Sequence, residues 1–187
     1  FKTHRVSDSR VLAQAQELLD RGYKRLVGYE CKEKGYEWFG GDPGHEALTA
    51  YGVMEFTDMA KVYPVDAGML ERTRAWLLSR RDGKGGFTRN PRALDSFGGA
   101  PDDVTNAYIL WALAESGEKG LEKEIEWAKT RAGETQDSYV LGLIANALLK
   151  VGDPAAAGIA AKIAKGQEGD GCVRGAATSI TRSGGEC

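Results

Sequence analysis

The stretch Val104-Thr-Asn-Ala-Tyr-Ile-Leu-Trp-Ala-Leu113 would be apolar on nearly every face of a helix. Such a helix must be buried on all sides, whereas one with a single apolar stripe faces water on the other. Leu48-Thr-Ala-Tyr-Gly-Val-Met54 and Ser138-Tyr-Val-Leu-Gly-Leu-Ile-Ala-Asn-Ala-Leu-Leu149 read the same way. A striped segment precedes each of the three. The first stripe is Val11, Leu12, Ala15, Leu18, Leu19, Tyr23, Leu26 and Val27, with Ser7 or Asp8 as its cap. The second, near 67–81, turns Met69, Leu70, Thr73, Trp76 and Leu77 inward. In the third, Leu121, Ile125 and Ala128 oppose a polar face of Glu122, Lys123, Glu124, Glu126 and Lys129. Asp153-Pro154 opens a last striped helix, with Pro at its first position. Asp102 or Asp103 is the expected cap of the helix through Val104. The order is outer, inner, outer, inner, outer, inner, outer.

This alternation predicts an all-α fold, an α/α toroid with helical hairpins in two concentric layers. Gly35, Gly83 and Gly169 recur with a period near 50 residues, allowing for one skipped turn, which marks an internal repeat. The pattern calls for another inner helix at Cys187, so residues 1–187 read as a single, incomplete toroid domain. The open edge would expose apolar inner-helix surface and favour self-association.

Composition narrows the function classes. The chain has 187 residues, 42% hydrophobic and 28% charged, with a net charge of -2. That balance gives no electrostatic reason to expect nucleic acid or an anionic membrane. No stretch approaches the roughly 20 apolar residues of a membrane span, and Phe1-Lys-Thr-His-Arg-Val6 has no signal-peptide h-region. Three cysteines, Cys31, Cys172 and Cys187, do not make the disulfide framework of a small secreted domain.

The motifs Gly35-Tyr-Glu-Trp-Phe-Gly, His45-Glu-Ala-Leu-Thr-Ala-Tyr-Gly-Val-Met, Trp76-Leu-Leu-Ser-Arg-Arg-Asp-Gly-Lys-Gly-Gly-Phe87 and Gly98-Gly-Ala-Pro-Asp-Asp-Val-Thr-Asn-Ala-Tyr108 carry a resemblance. In this order they are similar to the thioester domain of the α2-macroglobulin family, bacterial members above all, from about Ser9 to Glu186. The resemblance implies a terpenoid-cyclase-like α/α toroid within a broad-spectrum protease trap of the periplasm, cell envelope or extracellular space. In that family a bait region is cut, and an exposed thioester acylates amines on the attacking protease. The thioester joins the Cys and Gln of a Gly-Cys-x-Glu-Gln motif. Here Cys31 precedes Lys-Glu-Lys, Cys172 precedes Val-Arg-Gly, and nothing follows Cys187. The resemblance therefore implies a non-catalytic piece, with proteases as partners only of the parent protein. Thr88-Arg-Asn-Pro-Arg-Ala-Leu-Asp-Ser-Phe97 lacks the His that directs some complement members to hydroxyls, so amine targets are expected.

The residues offer few chemical candidates, and no catalytic, cofactor or metal site is expected. His45 beside Glu46 has the types of a base and its orienter, but a helix-start role fits better because no nucleophile accompanies them. His4 and His45 lack zinc-site spacing. Asp102-Asp103 lacks the further carboxylates of a Mg²⁺–diphosphate site, leaving a capping role. The glycine turns at 83–86 and 169–171 lack the Gly-Lys-Ser/Thr of a phosphate loop. Tyr36, Trp38 and Phe39 form a candidate aromatic platform for sugar or peptide. Arg72, Arg74, Arg80 and Arg81 read as a solvated outer face. An alternative is a carbohydrate-active toroid enzyme using two of Glu37, Asp42 and Asp95; another is a plain interaction module.

Overall fold

A computed structural model describes residues 8–41, 43–92 and 99–181. Its helices are α1 (Ser9–Val27), α2 (Glu46–Met59), α3 (Ala67–Ser79), α4 (Asp102–Glu115), α5 (Glu122–Glu134), α6 (Ser138–Val151) and α7 (Ala155–Lys165). Among the described residues strand pairing is limited to isolated bridges.

The inner helices are α2, α4 and α6, as the three all-apolar stretches require. α2 packs on α4 and α4 on α6, while α3 lies against α2, α5 against α4 and α6, and α7 against α6. α4 is flanked on both sides, and Ala107, Ile109, Leu110, Ala112 and Leu113 lose all their solvent exposure. Each large apolar side chain buried this way contributes about 1.5–3 kcal/mol, so the middle of the inner row holds the fold.

Local chemistry sets where the helices begin. The Asp8 carboxylate accepts from the Arg10 and Val11 amides, and Asp137 accepts from Tyr139 and Val140. His45 Nδ1 accepts from Ala47 and Leu48, which fixes a capping role and places the ring proton on Nε2. Asp153 accepts from the Ala155 amide and α7 begins directly after Asp153-Pro154, with Pro154 at the cap position rather than at the first helical position. Asp102 and Asp103 differ from expectation. The cap position is Pro101, and both aspartates lie inside the first turn of α4. They still complement the helix dipole, but their carboxylates pair with Arg89 and Arg131.

Three further expectations are corrected. α1 buries none of its residues, and Val11, Leu12 and Leu18 remain exposed. Only its C-terminal turns, through Tyr23, Leu26 and Val27, pack against the small core of Tyr36, Phe56 and Met69. The rest of the stripe has no facing helix among the described residues. Glu124 does not belong to a polar face of α5; its side chain is 4% exposed and paired with Arg81. The four arginines are not a solvated face either. Arg72 makes a two-pronged pair with Glu30. Arg74 donates to the Ser116 carbonyl and Arg81 to that of Gly120. Arg80 pairs with Glu46 at 2.9 Å and lies 5.8 Å over the Trp76 ring. Stripe analysis misses such residues because a long basic side chain can lie along the surface and bury its head against a neighbouring element.

The glycine period has a concrete form. After α1, α3 and α7 the chain makes the same tight hairpin, closed by antiparallel bridges Glu30–Tyr36, Arg81–Phe87 and Gln167–Val173. The first two are tied to the next inner helix in the same manner: Tyr36 N donates to Thr49 Oγ1 at 2.8 Å and Phe87 N to Asn106 Oδ1 at 3.0 Å. The link from α5 to α6 carries no such bridge, which is the skipped turn of the period. Gly35 and Gly44 exist for a steric reason. A Cβ on either would sit 2.7–2.8 Å from the Trp76 ring, so only glycine lets both backbones close on that indole.

Candidate functional site

The hairpins and the N-terminal turns of the inner helices gather at one end of the molecule, because each outer helix feeds its hairpin into the next inner helix. Two cavities open there. The larger, 480 Å³, lies where α2 approaches α4 and is lined by Trp38, His45, Leu48, Tyr51, Tyr108 and Ile180, among others. Ile180 gets there because residues beyond the third hairpin cross the start of α6. The Ala177 amide donates to Asp137 Oδ2 and the Ile180 amide to the Tyr139 hydroxyl. Asp137 thus caps α6 with one oxygen and anchors this segment with the other. Sequence reading placed no element there, since neither a stripe nor a turn motif marks the segment.

The second cavity, 280 Å³, lies between α1, the first hairpin and α2, and shares Trp38, Leu48 and Tyr51 with the first. Both are predominantly aromatic and aliphatic. Burial pushes the Tyr108 hydroxyl well above the usual tyrosine range, so it is held neutral at the edge of the larger cavity. Burial does the same to Tyr36.

The expected aromatic platform divides. Tyr36 is buried in the small core against Phe56, Trp38 is a wall of both cavities, and Phe39 stands 78% exposed outside them. The three do not form one surface because the hairpin bridge turns Tyr36 inward. Glu37 is 5% exposed, and its carboxylate accepts from the Trp38 amide at 2.7 Å. Asp42 and Asp95, the other carboxylates of the enzyme reading, lie outside the described residues. His45 lines the larger cavity but commits Nδ1 to its cap, and Glu46 is taken by Arg80 rather than orienting the imidazole.

Among the described residues no group of three His, Cys, Asp or Glu side chains could hold a metal ion, and no helix is long and apolar enough to cross a membrane. Cys31 is a buried thiol, outside any disulfide, whose Sγ donates to the Gly41 carbonyl. It is therefore not bridged to Cys172, which is itself disulfide-bonded. Cys187 and His4 lie outside the described residues.

A toroid of alternating inner and outer helices, with an aromatic cavity at its hairpin end, defines the architectural class. A family model for the A-macroglobulin TED domain matches residues 2–166, and the chain belongs to that family.

Proposed function

We propose that this chain is the non-catalytic scaffold of a bacterial α2-macroglobulin-like protease trap, acting outside the cytoplasm in the periplasm or cell envelope. The carrying observation is the TED-domain match over residues 2–166 in a sequence that contains no Gly-Cys-x-Glu-Gln motif. The bond that captures a protease needs that Cys and Gln, so these residues supply the architecture around it rather than the acyl transfer. A disulfide at Cys172 fits an oxidising compartment. Residues 1–187 are read as a single partial toroid domain. Exposed Leu12, Leu18 and Tyr51 support self-association, which light scattering across a concentration series would detect.

The test compares this chain with its full-length parent. Each is mixed with an active protease and examined under denaturing conditions. The parent should form a covalent conjugate through protease amines, and residues 1–187 alone should form none. A conjugate with the isolated chain, or a parent with no inhibitory activity, overturns the reading. The carbohydrate-active alternative has less support, because Glu37 is buried and hydrogen-bonded to its neighbour's amide. Turnover of any glycan that is abolished by Glu37→Gln would favour it instead.

A further inference from the structure

We infer that a disulfide between Cys172 and Cys187 holds residues 173–181 as a strap at the larger cavity, and that its reversible reduction opens that cavity. The sequence has three cysteines. Cys172 is disulfide-bonded and Cys31 is outside any disulfide, which leaves Cys187 as the partner. Cys172 is a fixed post at one end of the strap. It is 7% exposed, its carbonyl accepts from the Glu168 amide at 2.8 Å, and its amide donates to Asp170 Oδ1 at 2.9 Å. Along the strap the Ala177 amide donates to Asp137 and the Ile180 amide to the Tyr139 hydroxyl. Ile180 packs on the main core and lines the cavity. The strap needs neither a thioester nor a protease, so it goes beyond the protease-trap reading.

The bland account has the disulfide stiffen the third hairpin. The other two hairpins argue against that. In them the residue before the second bridge partner is Gly35 or Gly86, and both hairpins close without a sulfur there. A Cβ at Gly35 would sit 2.7 Å from the Trp76 ring, and one at Gly86 2.9 Å from the Asn106 side chain. In the third hairpin this position carries a side chain, and it is the bonded Cys172. The hairpin therefore does not need the bond, whereas the strap does. The Ala177 bond is exposed and the Ile180 bond is long, at 3.4 Å. Such bonds exchange for water at small net cost. Closing a loop of about 15 residues with a disulfide removes much of the freedom by which the strap would lift away. The chemistry is thiol–disulfide exchange with an external dithiol. One of its thiolates attacks Cys187 Sγ, because the Cys172 side is buried; the S–S bond breaks, and Cys172 leaves as a thiolate that takes up a proton. The second thiol then displaces Cys187, so both cysteines end reduced and the dithiol ends as a disulfide.

The experiment uses the chain of residues 1–187. Peptide mapping without reduction should recover Cys172 joined to Cys187. Amide hydrogen exchange is then compared before and after reduction with dithiothreitol, and in Cys187→Ser without reductant. Reduction and substitution should each speed exchange at Ala177 and Ile180 by about tenfold or more, as for a local opening, with Ile144 and Leu148 of α6 unchanged. A soluble nitroxide should broaden the Tyr108 ring signals more strongly in the reduced chain, and oxidised glutathione should restore the slow exchange. Cys172 joined to any other sulfur, or equal exchange at Ala177 and Ile180 in the two states, overturns the strap. Faster exchange throughout α6 overturns it as well, since the bond would then hold the whole domain. Unchanged broadening of Tyr108 overturns the opening of the cavity, and exchange that stays fast after reoxidation overturns its reversibility.

Discussion

Glu30 and Arg72 form across the first two repeats the same ion pair that Arg81 and Glu124 form across the next two, with the charges exchanged. Glu30 and Arg81 both begin a hairpin bridge, and their partners lie 42 and 43 residues further on, in α3 and α5. Each pair fastens one hairpin to the following outer helix, so the outer layer is stitched together by charge as well as by packing. The exchange shows that the position requires opposite charges and not a particular sign. It predicts that Arg72→Glu costs about 2 kcal/mol by placing like charges together. Glu30→Arg combined with Arg72→Glu should recover at least half of that loss. Denaturant melts of both variants check it; a double variant no more stable than the single would refute the equivalence.

The Arg80–Glu46 pair differs in depth. Glu46 is 4% exposed in its side chain, so its charge depends on Arg80 for compensation. Arg80→Met should therefore destabilise by about 3 kcal/mol, and Arg80→Met with Glu46→Gln by clearly less, because the stranded charge is removed as well. Equal losses in the two melts would mean that the carboxylate is not stranded.

Gly85 and Gly83 share a hairpin and both have positive φ, but only at Gly85 would an added side chain meet another element. A Cβ there would lie 2.5 Å from the Lys123 carbonyl oxygen, while one at Gly83 would meet open space. Gly83→Ala should cost about 1 kcal/mol from backbone strain alone, and Gly85→Ala about 1–3 kcal/mol more from overpacking against α5. Thermal unfolding of the two variants should separate them; similar melting temperatures would contradict this packing.

Tyr36 and Tyr108 set an alkaline limit on stability. Burial raises both hydroxyls above the unfolded value of about 10. Below that value both states hold the protons and stability does not depend on them. Above it the unfolded chain releases protons that the folded chain retains, so stability falls as pH rises. Melting temperatures measured from about pH 9 to 11 should decline, and the Tyr36→Phe, Tyr108→Phe double variant should decline less steeply. Parallel slopes would show that other groups govern the alkaline transition.

Cys31 is a buried thiol and no Cys in the sequence is followed by Glu-Gln at thioester spacing. Methylamine should therefore add no mass to the intact chain, since there is no acyl bond for the amine to open. Intact mass spectrometry before and after treatment decides this, and a gain of one methylamine would reverse the assignment of a non-catalytic piece.

The sequence by itself determined the layer order. A stretch such as Val104–Leu113 has no polar face to give to solvent, so it can only be an inner helix, and the alternating stripes then place the others. It also carried the family motifs and the hairpin glycines. What it could not determine was where the charged side chains end up. Arg72, Arg80, Arg81 and Glu124 look solvated because a linear pattern records which helix face a residue occupies, not which hairpin is folded against that face. The α1 stripe misled for the converse reason, since an apolar face is buried only where another element covers it. The cavities are decided the same way. Trp38, Tyr51 and Tyr108 come from three separate segments, and Ile180 joins them only because Asp137 and Tyr139 hold the chain across the start of α6. Burial periodicity is local and survives in the sequence, whereas ion pairing and cavity lining depend on contacts some 40 residues or more apart that only the folded chain creates.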